Sequence, residues 1–144
     1  MPPMGGDVRA RYDELIRAWA EHDLVRVQQL HAADVVLEID GRHHFAGRYA
    51  GIGAVLAALV KFAPYVQAAS PEPESIDVLD DSIESTSKLR VRSLAGGEQV
   101  TVFRTTIRFD EAGLIVYVHN RADDQAALDA FFGMIDAERD LGQR

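Results

Sequence analysis

The chain has 144 residues and a mass of 15.9 kDa, the size of one domain. Its 15 Lys and Arg against 23 Asp and Glu give a net charge of -8, which repels phosphate backbones and argues against a nucleic-acid partner. The absence of cysteine excludes disulfides, thiolate metal sites and cysteine nucleophiles together.

Residues 1–6 carry neither a basic region nor an apolar core of the kind a signal peptide needs. The apolar stretch 51–69 is interrupted by Lys61 and Pro64, so no membrane span is expected and the cytoplasm is the expected location. Residues 7–21 read as a helix with Asp7 as N-cap, because Tyr12, Leu15, Ile16 and Trp19 recur at helical spacing. Asp23 caps a second, short helix through Leu24, Val27 and Leu30. The β-branched run 35–40 predicts a strand, Gly41 and Arg42 a turn, and residues 43–46 a second short strand. Between the glycines at 47 and 51 a loop is expected, then a helix over 52–63 that Pro64 ends. Pro71 and Pro73 mark residues 70–74 as loop.

Three strands follow, over 82–94, 98–109 and 114–122, joined by hairpin connections at 95–97 and 110–113. Asp123 or Asp124 then caps a last helix, about 124–140, whose apolar face is Leu128, Phe131, Phe132 and Ile135. Helices first and a meander later predict an α+β domain spanning 1–144, its core about 8–132. Such a meander curls into a cone whose inner side is filled by side chains or by a ligand. Neither face of the three strands is cleanly polar, so one is expected to meet the helices and the other a partner subunit. Charge is also uneven. Residues 70–85 hold six acids and no base, and residues 86–109 hold five bases and one acid, so an anionic small ligand stays compatible with the net charge.

Three stretches resemble SnoaL-like proteins of the nuclear transport factor two-like, or ketosteroid isomerase-like, superfamily. The first, residues 20–38, carries Asp23-Leu24, Val27, Leu30, Ala32, Asp34 and the apolar Val35-Val36-Leu37 at the family's spacing. The second, residues 41–55, carries Gly41, Phe45, Gly47, Tyr49, Gly51 and Ala54-Val55. The third is the hairpin Ile107-Arg108-Phe109 to Gly113 and Ile115. The resemblance, over about residues 8–132, implies a cone-shaped curved mixed or antiparallel sheet with N-terminal helices over its concave face. It also implies an apolar pocket and a homodimer through the convex sheet face. Family activities include ketosteroid isomerisation, polyketide ring closure, epoxide hydrolysis and dehydration, and non-catalytic members exist.

Carried over residue by residue, the isomerase groups are missing. Leu15 stands at the tyrosine position, Ile39 at the base position and Thr105 at the position of the second acid. The remaining candidates are Asp40, at a strand end, and the adjacent His43 and His44, of which His44 is chosen as the proton carrier. Tyr49, Arg92 and Asn120 are candidates to hold an oxyanion. Tyr12, Trp19, Arg90, Phe103, Thr105, Val118 and Asn120 are expected to line the cone, with Arg90 and Arg92 on its concave side by the same alignment. His119 has the opposite parity and is expected at a dimer contact. No phosphate loop, nucleophile elbow or metal-ligand spacing occurs, so neither cofactor nor metal is expected. The resulting expectation is a cofactor-free acid–base enzyme acting on a small apolar, cyclic or polyketide-like molecule. The alternatives are a binding protein without turnover and an interaction module with a filled cone and an exposed apolar patch.

Overall fold

A computed structural model describes residues 4–43, 45–68, 73–92 and 97–142. It opens with helix α1 (Met4–Ala20), so Asp7 lies inside the helix and not at its cap. The buried stripe of α1 runs Val8, Tyr12, Leu15 and Ala18, while Ile16, expected inside, is 45% exposed. The chain leaves α1 through His22, which has φ 55°, with Asp23 N–H donating to Ala18 O at 2.9 Å and His22 N–H to Trp19 O at 3.1 Å. This nested pair is the left-handed helix stop that glycine usually makes. Asp23 then accepts Arg26 N–H at 3.0 Å and caps α2 (Leu24–Gln29) as expected.

Strand β1 (His31–Ile39) starts four residues earlier than the apolar run suggests. Gly41 turns the chain with φ 121°, and the short strand expected at 43–46 forms instead at β2 (Gly47–Ala50), antiparallel to β1. Helix α3 (Ile52–Phe62) and a 3-10 turn (Ala63–Tyr65) lead into β3 (Val66–Ala68) and β4 (Ser75–Val78), two short strands not anticipated. The expected loop at 70–72 and the hairpin tip at 95–96 lie outside the described residues. The long strands β5 (Ser82–Arg92), β6 (Glu98–Phe109) and β7 (Ile115–Ala122) pair antiparallel, and α4 (Gln125–Gly142) closes the order. Asp124 accepts Ala127 N–H at 3.2 Å and caps α4, while the Ile135 side chain lies outside the described residues.

Among the described residues the strand order is β2-β1-β7-β6-β5-β3, with β4 also on the free edge of β5, and only β1–β7 is parallel. The α+β class and the curved mixed sheet are as expected; among the described residues the two sheet edges do not pair with each other. One sheet face carries Leu37, Ile39, Ile83, Ile107 and Phe109 against α1, α2 and α3, forming a first apolar cluster with Val8, Tyr12, Leu15 and Val55. A second cluster fills the other end of the same face, where Phe103 and Val91 meet Phe45, Leu128, Phe131 and Phe132. Phe132 is fully buried, with ring centroids 5.2 Å from Phe45 and 5.6 Å from Phe62, both edge-on. Among the described residues no helix is long and apolar enough to cross a membrane.

Candidate functional site

Strand register decides which polar side chains share the inner face. Ser85 pairs with Thr105, Thr105 with Asn120, and Asn120 with Ile39. A row of three polar residues therefore crosses adjacent strands between the two apolar clusters. On one side of the row stand Ile83, Ile107 and Val118, on the other Phe103 and Ala122. Thr105 Oγ1 donates to Asn120 Oδ1 at 2.7 Å. That bond uses the carbonyl oxygen of Asn120 and leaves its amide N–H groups to serve a second acceptor.

Beside the row lies a second polar group, built from the loop after β1 and the first turns of α4. Asp40 N–H donates to Asn120 O at 3.0 Å, so the loop starts next to the row. A side chain on Gly41 would collide with Asp129 Oδ1, Gln125 Nε2 and His43 Cδ2, so a glycine is what lets loop and helix approach. The His43 ring is enclosed, its centroid 4.7 Å from that of Phe132. Phe45 N–H donates to His43 Nδ1 at 3.1 Å. A backbone N–H only donates, so Nδ1 is the acceptor and the ring proton sits on Nε2. His43 Nε2 faces Asp129 Oδ1 at 4.0 Å. Gln125 Nε2 donates to that same oxygen at 2.9 Å, and Gln125 Oε1 accepts Ala122 N–H at 3.2 Å. The carboxylate of Asp129, 22% exposed, is thus held at Oδ1 by the Gln125 amide and faces the His43 ring.

The candidates named from sequence separate into three groups. Tyr12 is buried in the first cluster, Trp19, Tyr49 and Val118 pack against it, and Phe103 is buried in the second. Tyr49 donates its hydroxyl to Phe45 O at 2.9 Å. Thr105 and Asn120 meet in the polar row. Asp40, Arg90 and Arg92 are on the other face, which corrects the concave placement of the two arginines. The unbroken β5–β6 register places Arg90 opposite Val100 and Arg92 opposite Glu98, and it is Leu89 and Val91 that turn inward. Both guanidinium groups are ion-paired to Glu98, at 3.7 and 3.2 Å, which spares the cone a buried cation. His44 lies outside the described residues.

Asp40 points away from the cone because it shares parity with Glu38, and its Oδ1 meets His119 Nε2 at 2.7 Å. Tyr117 stacks on His119 at 7° and donates to Glu38 Oε2 at 2.8 Å. That bond to Glu38, with burial and the Glu38 charge, pushes the Tyr117 phenol above its ordinary value of 10.0, while Arg108 opposes the shift. Two clefts stand out among the described residues, and neither is lined by Asn120 or Asp129. One of about 290 Å³ lies between α1 and the β6–β7 turn, beside Arg11 and Gly113; one of about 60 Å³ lies by Arg104, Arg121 and Glu84. On the inner face, where an apolar pocket is expected, Phe131 and Phe132 pack with Phe45, Val91 and Phe103. Among the described residues no group of three or more His, Asp and Glu side chains is placed to hold a metal ion.

Ser85, Gln125 and Asp129 escape a reading of the sequence, which also favours His44 over His43. The signal for two of them is helical: Gln125, Asp129 and Phe132 stand at i, i+4 and i+7, one face of α4. Polar residues continuing the line of a buried Phe belong at the edge of a core.

No protein-family model matches the chain, and no curated protein matches it. Solved structures do. An NTF2-like protein from Burkholderia xenovorans superposes with a TM-score of 0.76 at 16% identity, covering 87% of this chain and 96% of that one. The chain has the nuclear transport factor two-like fold. Rv0760c from Mycobacterium tuberculosis, solved in complex with estradiol-17beta-hemisuccinate, gives 0.64 at 23% identity over 83% and 96% of the two chains. A protein from Shewanella denitrificans named as a SnoaL-like polyketide cyclase gives 0.67 at 15% identity over 85% and 96%. Leu15 and Ile39 are both buried in the first apolar cluster.

Proposed function

We propose that this protein binds a small apolar molecule carrying a carbonyl or hydroxyl oxygen at the second apolar cluster of its inner face and moves a proton on it without a cofactor. Asp129 is the base, and the Asn120 amide holds the oxygen as charge develops there. The observation that carries this reading is the juxtaposition of a carboxylate fixed by Gln125 with the Thr105–Asn120 pair, two polar groups on the margins of an apolar cluster. A positioned base contributes on the order of 10² to 10⁴ in rate. A fixed donor to an oxyanion adds about 10² or more. Removal of a proton beside a carbonyl serves isomerisation, aldol ring closure and dehydration alike, which is the range the sequence suggests. The steroid ester bound by Rv0760c fits a ligand of fused apolar rings. Phe131 and Phe132 must move aside for it, because they fill the space such rings would take.

Native mass spectrometry of protein purified without added ligand tests the binding half, the expected result being a retained organic molecule. The chemical half is tested with 5-nitrobenzisoxazole, a flat apolar carbon acid. The base takes its ring C–H proton, the N–O bond breaks and a cyanophenolate leaves. Asp129→Asn is expected to lower that rate by about 10² or more; an unchanged rate removes Asp129 as base. A protein-interaction module is the second reading, favoured by the apolar residues at Leu15 and Ile39 and by the packing of Phe131 and Phe132 on the inner face. It predicts neither a retained molecule nor a rate above buffer, whereas a ligand-binding protein without turnover predicts the retained molecule alone.

A further inference from the structure

We infer that His43 is a positioning residue for Asp129, with Gly41, His43 and Phe45 on one side and helix α4 on the other forming a two-sided seat for the base. The inference rests on the reading of Asp129 given above. One side of the seat is Gln125, which ties Asp129 Oδ1 to the sheet through Ala122 N–H. The other side is the imidazole. Its Nδ1 is committed to Phe45 N–H, and Ala46 N–H donates to His43 O at 3.1 Å, so the loop grips the residue at ring and backbone. Only Nε2–H is directed at the carboxylate, and Phe132 and Phe45 prevent the ring from swinging away.

A ring held this way directs its Nε2–H toward the carboxylate. Were it to accept the substrate's proton onward from Asp129, it would do so at a nitrogen that already carries one. Its role is to aim the carboxylate, leaving Oδ2 for the substrate. The 4.0 Å separation is longer than a hydrogen bond, so a small inward movement of α4 completes the contact. Apo geometries of catalytic groups are commonly loose in this way. Gly41 permits that movement, since any side chain there would strike Asp129, Gln125 and His43 together.

The test uses the full chain, with His43→Leu, which keeps bulk and loses the donor, and His43→Gln, which restores an N–H without a titrating ring. Nitrogen-15 NMR of the wild type should show the His43 proton on Nε2, and Asp129→Asn should shift that signal. With 5-nitrobenzisoxazole, His43→Leu should lower kcat about 10-fold or more at unchanged KM, since misplacing a base by an ångström costs that order. His43→Gln should recover most of the loss. A ring proton on Nδ1, or His43→Gln as slow as His43→Leu, overturns the inference; so does wild-type kcat in His43→Leu while Asp129→Asn is inactive. If Asp129→Asn is fully active, the reading of the base falls, and the NMR result alone then decides: an unmoved Nε2–H signal overturns the contact. Should His43→Leu fail to fold, His43→Gln and the NMR result decide.

Discussion

Gly41 and Gly47 offer a matched pair of perturbations on either side of the same loop. Both have positive φ, 121° and 140°. Alanine at either position incurs backbone strain of about 1–3 kcal/mol. Each also gains a few tenths to about 1 kcal/mol from a stiffer unfolded chain. These contributions nearly cancel between the two sites. What differs is the neighbourhood. A Cβ on Gly47 meets nothing within 4 Å, whereas on Gly41 it overlaps Asp129, Gln125 and the His43 ring. The first two are flexible ends, but moving them breaks the Gln125–Asp129 bond of 2.9 Å, and the ring is wedged against Phe132. A lost bond to a charged group costs about 1.5–3 kcal/mol, and overpacking costs about 1–3. Gly41→Ala is therefore expected to be less stable than Gly47→Ala by about 2 kcal/mol or more. In a chain of this size each kcal/mol is roughly 2–4 °C of melting temperature. Urea unfolding of both variants measures the difference. Equal midpoints at equal slopes would refute the close approach of loop and helix, and with it the seat of Asp129.

His22 and His31 supply two further expectations. His22 holds a left-handed φ of 55° at the stop of α1, where glycine has no Cβ to strain, so His22→Gly should stabilise the protein by about 1 kcal/mol in urea; a loss of stability would show that the His22 side chain contributes there. His31 is buried with Nδ1 2.6 Å from Val27 O, and burial pushes its pKa below 6.5 despite that bond. The unfolded chain thus binds the proton more readily. Stability from this group is complete above pH 6.5 and falls as pH drops from there toward the folded value. The urea midpoint of the wild type should decline between pH 7.5 and 5.5 more steeply than that of His31→Gln, and parallel declines would refute the assignment.

Local chemistry made much of the fold legible. Asp23, the apolar run of β1, the hairpins around β6 and the Asp124 cap are each decided by a few neighbouring residues. Misplaced elements are those decided by distant ones. Residues 43–46 have strand character, but β1 finds its partner at Gly47–Ala50, where Val36 pairs with Ala50 and Ile39 with Gly47. The loop between is spent on turning His43 and Phe45 inward to meet α4, a demand arising some 80 residues later in the chain. Strands β3 and β4 are three and four residues long and owe their existence to the free edge of β5.

For the candidate site, the same distinction explains which side-chain placements were legible. Thr105 and Asn120 were legible because alternation within one long strand fixes the face of each. The arginines at 90 and 92 were misplaced because face also depends on how β5 aligns with β6, which the unbroken register from Ser82–Arg108 to Arg92–Glu98 sets. Had they turned inward, two guanidinium groups would have needed partners in an apolar cluster; outward, one glutamate and water suffice. Asp129 was illegible for the converse reason. On α4 alone it is an ordinary surface acid between Leu128 and Ala130. It becomes a candidate base only when the Gly41 turn brings a fixed imidazole N–H to face it, an approach that no residue pattern within α4 encodes.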